Sequence, residues 1–488
     1  MVSWRLMSRL LGLISTSVLA RILLPSDFGL VALAYAFVRA LDATATLGVE
    51  FSLLREPDPD EELYSTAFSV SLCKSFLTAI IVAGFAPYFA EFFDDQRLTY
   101  ILYVLAFGLL LEGGENLGIL EYRKNFIFGK EFLFLMIPRT AAVISCIGMA
   151  LLLRSYWAMV ISILIYKTTK TACSYILHPF RPRFTFSGQA RLLRFSFWMW
   201  ATGIANFLRD RADAFIVGRM TNTASLGLFS AAYEIAILPI TELVEPLGRV
   251  LFPGISAAYH GGTEAGATVS RSIAAVGFLI LPAGVGISLV AGPIIYVTLG
   301  GTWMNGYHLV QIIAPAAVFS IFSSVISTTL IVLGNARIIT ITTIFVSVLR
   351  LPILAFGVVN NGLTGVAWAM AICYPLEAAF YIIALTRLTR FRVGAFLRQL
   401  WRSLVAVAGM ATVLVVLGVG WAPPPQGLTA ALEQLLLATI VGTGSYMGIV
   451  FALWVVMGYP EGPEALIYKL FRPRLGSAAR KLLTRANI

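Results

Sequence analysis

The sequence predicts an all-α polytopic membrane protein with about fourteen transmembrane helices. Its 488 residues are 58% hydrophobic and only 12% charged, with a mean hydropathy of +0.84. A water-soluble chain of this length needs more charge to cover its surface. Apolar stretches of about 20 residues, enough to cross a bilayer, recur about every 35 residues. No segment between them is long enough to fold as a soluble domain.

Charged residues, glycines and prolines separate these apolar stretches. The charged segment 55–62 divides the second span from the third. The proline run 423–425 interrupts the last pair, because successive prolines cannot continue a helix. The spans are expected near 3–23, 27–49, 63–89, 98–119, 131–153, 156–178, 192–217, 224–257, 268–298, 305–333, 338–358, 363–386, 398–420 and 431–457.

The distribution of basic residues predicts that both termini are cytoplasmic. If the N-terminus is cytoplasmic, that side carries 23 Lys and Arg residues in loops and at span ends, and the opposite side carries four. Such an asymmetry sets orientation and requires an even number of spans, so twelve spans would fit as well as fourteen. The net charge of +11 thus comes from basic cytoplasmic loops, which lie beside anionic lipid headgroups. For this reason we expect membrane lipids rather than nucleic acid as partners.

Two stretches 198 residues apart share a pattern that predicts an internal repeat. They read ARILLPSDFGLVALAYAF (20–37) and GRMTNTASLGLFSAAYEI (218–235). Arg21, Gly29, Leu30, Ala34 and Tyr35 recur as Arg219, Gly227, Leu228, Ala232 and Tyr233. The alternative is a chance match among residues that are common in membrane helices.

Six spans separate the two copies, and an even number makes the repeat parallel. We therefore expect two pseudo-symmetric six-helix bundles, formed by 1–186 and 187–393. Residues 394–488 are expected to add two C-terminal helices and a basic cytoplasmic tail. Two such bundles can rock against each other and give alternating access to a site between them.

Ionisable residues at span depth are costly and usually face a cavity or a charged partner. Arg39 with Asp42 and Arg209 with Asp213 could neutralise each other locally. Arg139, Lys74 and Arg350 lack an acidic neighbour in their own span, and Glu377 or Glu234 from another span could supply one. The basic residues are candidates for binding an anionic substrate: Arg9, Arg39, Arg139, Lys167, Lys170, Arg209, Arg211 and Arg350. The acidic candidates for ion coupling are Asp42, Asp213, Glu234 and Glu377.

Lys167 and Lys170 carry like charges three residues apart in the sixth span. Such a pair requires a counter-anion, either from the protein or from a substrate. A cavity rich in Arg and Lys suits phosphate and carboxylate groups. Interhelical salt bridges and snorkelling towards the span ends are the alternative interpretations.

The sequence contains no recognisable catalytic or metal-binding pattern. GxxxxGK[ST], GxSxG and HExxH are all absent, which argues against an ATP-driven pump and against common hydrolases. The four cysteines fall inside spans without the spacing of metal ligands, and the three histidines are far apart. We therefore expect a protein that is not an enzyme and binds no metal or other cofactor.

The stretch VLARILLPSDFGLVALA (18–34) resembles the opening signature of the bacterial polysaccharide transporters, the Wzx-type oligosaccharide flippases, whose usual pattern is close to LARlLtPedFGl. The similarity covers about residues 4–400. Further matches are YWAMVISIL (156–164), HPFRPRF (178–184), RFSFWMW (194–200), RADAFIVGRM (211–220), LGLFSAAYEIAILPITELVEPLGRVLFPG (226–254) and LGGTWMNG (299–306).

This resemblance implies a member of the multidrug/oligosaccharidyl-lipid/polysaccharide exporter superfamily in the bacterial inner membrane. It implies a flippase that moves an undecaprenyl-pyrophosphate-linked oligosaccharide from the cytoplasmic to the periplasmic face, for exopolysaccharide, capsule or O-antigen (lipopolysaccharide) synthesis. The polysaccharide polymerase and export machinery are candidate partners, and a monomer is expected.

Three other functions are alternatives. A cation-coupled drug or metabolite exporter of the same superfamily predicts a mostly acidic cavity. A membrane enzyme predicts a large periplasmic loop, and a membrane scaffold does not need many buried charges.

Overall fold

The computed structural model is helical, with no strand in the part of the chain that it describes. It describes residues 2–44, 49–56, 59–187, 196–244, 265–389, 391, 393–423, 425, 427–460 and 462–465. The α-helices are α1 Val2–Ile22, α2 Pro25–Thr44, α3 Val49–Arg55, α4 Glu61–Phe92, α5 Arg97–Gly113, α6 Leu120–Lys124, α7 Phe128–Leu153, α8 Trp157–Leu177, α9 Ser196–Met220, α10 Thr223–Ala236, α11 Ala265–Leu289, α12 Ala291–Thr298, α13 Tyr307–Ala317, α14 Ser320–Val332, α15 Ala336–Leu388, α16 Val393–Val416 and α17 Leu428–Val456.

Each predicted span overlaps a helix, but several spans are interrupted. Within the described ranges, seven helices are long and apolar enough to cross a membrane, or eight if one bent pair counts as a single span. The count of fourteen and the orientation therefore stay predictions. The predicted eleventh and twelfth spans form one element, α15, which is kinked where Gly362 has a φ of 55°. Glycine tolerates this left-handed conformation because it has no Cβ.

The predicted eighth span departs from a simple helix. α10 ends at Ala236, and a π-helical turn covers Ile240–Val244. Pro239 lies between them and cannot donate a backbone hydrogen bond, so the regular helical ladder is interrupted there. Pro246 and Pro253, the other prolines of this span, lie outside the described residues, as does most of the predicted surface segment 187–199.

The chain divides into two compact units. Unit 1 comprises Met1–Ala231, Thr298–Gly306 and Thr343–Val366, and unit 2 comprises Ala232–Val297, Tyr307–Thr342 and Ala367–Ile488. Within unit 2, α11 packs against α13, α14 and α16. The predicted domain boundaries at 186 and 393 stay predictions.

In unit 1, Gly29 of α2 and Gly227 of α10 make a reciprocal contact. A Cβ on Gly29 would lie 1.7 Å from the carbonyl oxygen of Thr223, and a Cβ on Gly227 would lie 1.8 Å from that of Pro25. The 198-residue offset of the repeat relates Gly29 to Gly227 and also Pro25 to Thr223. Such a reciprocal contact is what a two-fold relation between the copies predicts.

Neighbouring contacts of unit 1 surround this crossing. The Nε1 of Trp303 donates a hydrogen bond of 2.8 Å to the carbonyl oxygen of Ala20. The Trp303 ring also packs edge-on against Phe28, with ring centroids 4.9 Å apart. Arg219 forms a 3.1 Å ion pair with Asp94 in the turn after α4. In the predicted orientation these residues lie at the periplasmic end of their helices.

Candidate functional site: charges around a broken span

The predicted fourth span is broken. α5 ends at Gly113, and the chain bends by 62° into a 3₁₀ turn, Leu117–Ile119, and α6. A Cβ on Gly113 would lie 2.4 Å from Cβ of Ser75, so glycine is needed for the close approach of α4 at this point. Broken spans are typical of substrate and ion sites in transporters, because they expose backbone groups and charges at membrane depth.

Side chains of α8 satisfy the backbone groups released by this break. Thr171 Oγ1 donates a 2.7 Å hydrogen bond to the carbonyl oxygen of Leu111. The Tyr175 hydroxyl donates a 3.0 Å hydrogen bond to that of Gly114. Carbonyl oxygens at a helix end lack intrahelical partners, so these bonds stabilise the break and attach α8 to it.

Two parallel ion pairs join the break to α8. Lys167 Nζ lies 2.5 Å from Oε2 of Glu112, and Lys170 Nζ lies 2.7 Å from Oε2 of Glu115. In each pair the lysine follows the glutamate by 55 residues. The two glutamates are therefore three residues apart, and so are the two lysines. We call these pairs the charge ladder. The counter-anions that Lys167 and Lys170 require are therefore supplied by the protein.

A second charged group lies between α2 and α4. Lys74 Nζ is 2.7 Å from Oδ1 of Asp42, and Arg39 Nη1 is 3.6 Å from Oδ2 of the same carboxylate. Arg39 also donates a 2.7 Å hydrogen bond from Nη2 to the Tyr35 hydroxyl. The local Arg39–Asp42 pair predicted from sequence is present, and Asp42 also partners Lys74.

Arg139 of α7 has no ionic partner in the described part of the chain. Among the residues that the structure describes, it makes no ion pair or hydrogen bond, and its Nε is buried without an acceptor. Its guanidinium lies over α1, where a Cβ on Gly12 would be 3.0 Å from Nη2. The absence of a side chain on Gly12 therefore leaves room for the guanidinium. A half-buried cation of this kind is a strong attractor for an anion.

Arg350 of α15 is in the opposite situation. It donates a 2.8 Å hydrogen bond to the carbonyl oxygen of Arg209 and lies 3.4 Å from Oδ2 of Asp213. Both charged groups are buried. Asp213 of α9 is thus one partner of Arg350. The suggestion from sequence that Glu377 or Glu234 could supply a partner stays a prediction.

Arg139 and Arg350 lie in the fifth and eleventh predicted spans, six spans apart, but their separation of 211 residues differs from the 198-residue offset of the repeat. By the offset of 198, Gly12 of α1 corresponds to position 210 of α9, next to the Arg209 carbonyl that Arg350 contacts. Asp213 likewise corresponds to Ser15, so the N-terminal copy has a hydroxyl where the C-terminal copy has a carboxylate.

The remaining predicted site residues are dispersed. Arg9 is half-buried on α1, Glu234 is exposed on α10 and Glu377 is half-buried on α15. The side chain of Arg211 lies outside the described residues. In the described ranges, no group of three His, Cys, Asp or Glu side chains is arranged to hold a metal ion.

Sequence reasoning missed Glu112 and Glu115. They fall near the end of the predicted span 98–119, where acidic residues are easily assigned to a loop. The available signal was their spacing of three, which matches that of Lys167 and Lys170, together with the adjacent Gly113–Gly114 pair that ends a helix.

A family model described as "Polysaccharide biosynthesis protein" matches residues 18–308, which is 291 of the 488 residues. The chain belongs to the polysaccharide biosynthesis protein family. Its resemblance to the Wzx-type flippases is confirmed. This family member is a multi-pass protein of the bacterial inner membrane, as predicted.

Three curated relatives are similar over most of their length. The succinoglycan biosynthesis transport protein ExoT of Rhizobium meliloti is 24% identical over 64% of this chain and 65% of ExoT, just under two thirds of that relative. The lipopolysaccharide biosynthesis protein WzxC of Escherichia coli is 20% identical over 73% of each chain. The teichuronic acid biosynthesis protein TuaB of Bacillus subtilis is 20% identical over 87% of each.

Solved structures establish the fold class. The lipid II flippase MurJ, in an inward closed conformation, superposes with a TM-score of 0.76 over 93% of this chain and 99% of MurJ, at 15% identity. An inward-facing multidrug transporter of the MATE family has a TM-score of 0.62 over 80% of this chain and 96% of its own, at 16% identity. The all-helical, exporter-type fold predicted for this family member is therefore confirmed.

Proposed function

We propose that this protein is a flippase that moves an undecaprenyl-pyrophosphate-linked oligosaccharide from the cytoplasmic to the periplasmic face of the inner membrane. The product would supply exopolysaccharide, capsule or O-antigen synthesis. Membership of the polysaccharide biosynthesis family and the transport function in the name of ExoT support this class of cargo. The lipid tail would remain in the bilayer while the polar part passes through a basic cavity by alternating access.

The observation that carries the proposal is Arg139. Its guanidinium is half-buried at span depth with no counter-ion among the described residues, whereas Arg350 is paired with Asp213. An uncompensated guanidinium in a membrane span requires an anion from elsewhere. The pyrophosphate of a lipid-linked cargo suits it, because guanidinium binds phosphate oxygens through paired hydrogen bonds.

The structure describes the surroundings of some of the other basic residues that are proposed to bind the cargo. Arg39, Lys167 and Lys170 belong to charged groups beside the broken span, where they are accessible to different degrees. Arg350 is buried against Asp213, so its role in binding would be indirect. Arg9, Arg209 and Arg211 remain proposed from their position in the sequence. We also propose an ion-coupling role for four acidic residues, Asp42, Asp213, Glu234 and Glu377. A monomeric state and the polymerase as a partner are likewise proposals.

A cation-coupled drug exporter is the competing function. The likeness to the multidrug transporter concerns the fold alone, at 16% identity. A cationic drug would be repelled by Arg139, whereas an anionic cargo would be attracted. The unpaired guanidinium therefore favours the flippase.

A deletion strain tests the proposal. Surface polysaccharide and undecaprenyl-linked oligosaccharide would be measured with wild type, Arg139→Ala, Arg139→Lys and the control Arg97→Ala, each quantified in the membrane. Arg97 pairs with Asp95 in the turn before α5, away from the charge ladder. We expect loss of polymer and accumulation of the linked precursor on the cytoplasmic face with Arg139→Ala, partial function with Arg139→Lys and full function with Arg97→Ala. Normal polymer in the deletion strain would refute the flippase, and full rescue by Arg139→Ala would refute the role of Arg139.

A further inference from the structure

The carboxylates of the charge ladder are held by lysine alone. Among the described residues, the ammonium groups of Lys167 and Lys170 are the sole hydrogen-bond donors to Glu112 and Glu115, respectively. Asp213 is different, because its Oδ1 also accepts a 3.0 Å hydrogen bond from the backbone N–H of Ala214. A carboxylate without backbone donors can leave its position when its cation finds another anion.

The ladder is also accessible. The Glu112 side chain is 43% exposed and its partner Lys167 is 13% exposed, whereas the Glu115 and Lys170 side chains are 12% and 24% exposed. Charged side chains at span depth do not face lipid, so this exposed surface faces an aqueous space. The more exposed member of each pair is Glu112 in the first and Lys170 in the second. An anion that enters this space would therefore meet these two side chains first.

Displacement of the carboxylates would leave negative charge that the membrane does not tolerate. The two lysine charges would then be shared with the incoming anion. Glu112 would remain solvated, but Glu115, whose side chain is 12% exposed, would lie at span depth without an ammonium partner. A carboxylate in a low-dielectric site without a counter-ion is neutralised by binding a proton. The charged groups that act on the two carboxylates are Lys167 and Lys170 of α8, Arg39 of α2 and Glu50 of α3.

We propose that Glu112 and Glu115 are resident counter-anions that a pyrophosphate group displaces from Lys167 and Lys170, and that the displaced Glu115 carboxylate takes up a proton from cytoplasmic water. Glu115 gains one proton from hydronium and becomes a neutral acid, while Glu112 and the two lysines remain charged. Anion binding is thereby linked to proton uptake. This inference rests on the proposed flippase function, since it requires an anionic cargo.

Proton-linked calorimetry tests the exchange. Inorganic pyrophosphate would be titrated into the purified full-length protein at neutral pH, in buffers of different ionisation enthalpy, so that the protons taken up per bound anion are measured. The variants are Glu112→Gln/Glu115→Gln and, as a matched control, Glu131→Gln. Glu131 is a buried carboxylate that pairs with Arg123 at 2.9 Å, near the start of α7.

We expect wild type and Glu131→Gln to take up at least about one proton more per pyrophosphate than the double variant, since only they retain the exchanging carboxylates. The titration of pyrophosphate itself is common to all three and cancels in the difference. The double variant should bind pyrophosphate about tenfold more tightly, equivalent to about 1.4 kcal/mol, because its lysines carry no competing anion. Equal proton uptake or weaker binding in the double variant would overturn the exchange.

Wild-type protein alone supplies a second test that does not depend on the folding of a variant. Sulfate stays a dianion near neutral pH, so any proton taken up when sulfate binds belongs to the protein. Proton uptake on sulfate binding supports the exchange, and binding without proton uptake refutes it.

Arg139→Ala separates the two proposals. If pyrophosphate binding needs Arg139 but proton uptake is the same with and without Glu112 and Glu115, the exchange fails and the flippase proposal stands. If pyrophosphate does not bind to wild type, the proposed function fails and the exchange fails with it.

Discussion

Gly29 and Gly227 lie against each other so closely that a Cβ on either residue would collide with the backbone of the opposite helix. The contact is reciprocal, since each glycine faces the carbonyl oxygen at the start of the other helix, at Thr223 and Pro25. The backbones of α2 and α10 therefore lie in direct contact at this point. Small residues such as glycine allow two helix backbones to approach this closely.

Gly29→Val and Gly227→Val should each push α2 away from α10. Overpacking of a tight contact typically costs about 1–3 kcal/mol, and a clash with backbone lies at the upper end of that range. Thermal unfolding of the purified variants would measure the loss of stability. Gly84→Val is the control, because a Cβ on Gly84 meets no atom within 4 Å among the described residues. Equal stability of Gly29→Val and Gly84→Val would contradict the crossing.

Asp213→Ala should destabilise unit 1 strongly. Removing one partner of a buried ion pair leaves the other charge uncompensated and typically costs about 3–5 kcal/mol. Asp94→Ala is the matched control, since it removes a carboxylate from the exposed Arg219 pair, for which about 0–1 kcal/mol is expected. Denaturation in detergent distinguishes the two. A similar small effect from both variants would mean that Arg350 does not depend on Asp213.

The free energy of unfolding should fall strongly when the ring of Trp303 is removed and less when only its N–H is removed. The side chain is 1% exposed, packs on Phe28 and donates to the Ala20 carbonyl. Trp303→Ala should cost about 3–5 kcal/mol, as other large core truncations do. Trp303→Phe should cost about 1–2 kcal/mol, since it leaves one carbonyl unpaired. Trp368→Ala, at an exposed tryptophan, should have little effect on the same unfolding measurement.

The two residues of a ladder pair should show strong coupling. Lys167→Met leaves Glu112 without a cation at span depth and should lower both the membrane level and the unfolding temperature. Adding Glu112→Met removes the orphaned charge and should recover most of the loss. The coupling between the two changes in a double-mutant cycle is the measured quantity. Additive effects would show that the two side chains do not interact.

Sequence periodicity and hydropathy predicted the positions of the helices well, because the bilayer requires long apolar segments whatever their tertiary packing. The Arg39–Asp42 pair was also predictable, since residues three apart share a helix face. The repeat anticipated that Gly29 and Gly227 are comparable, although it could not predict that they touch.

Contacts between distant spans were less predictable. The pairing of Arg350 with Asp213 was not predicted, because Asp213 had already been assigned to Arg209 within one helix. Glu112 and Glu115 were overlooked, because the break after Gly113 changes their direction and a linear hydropathy reading cannot detect a 62° bend. The sequence shows that Arg139 has no acidic neighbour in its own span, but only the packing shows that no other described residue forms an ion pair with it.

The 55-residue separation within each ladder pair has a consequence for biogenesis. At typical rates of synthesis, about 5–20 residues per second, α8 leaves the ribosome about 3–11 seconds after the carboxylates of the broken span. During that interval neither Glu112 nor Glu115 has its lysine partner from α8. We therefore expect stable partitioning of α5 to await the arrival of α8, so that a nascent chain that ends within α7 is retained longer at the translocon than one that includes α8.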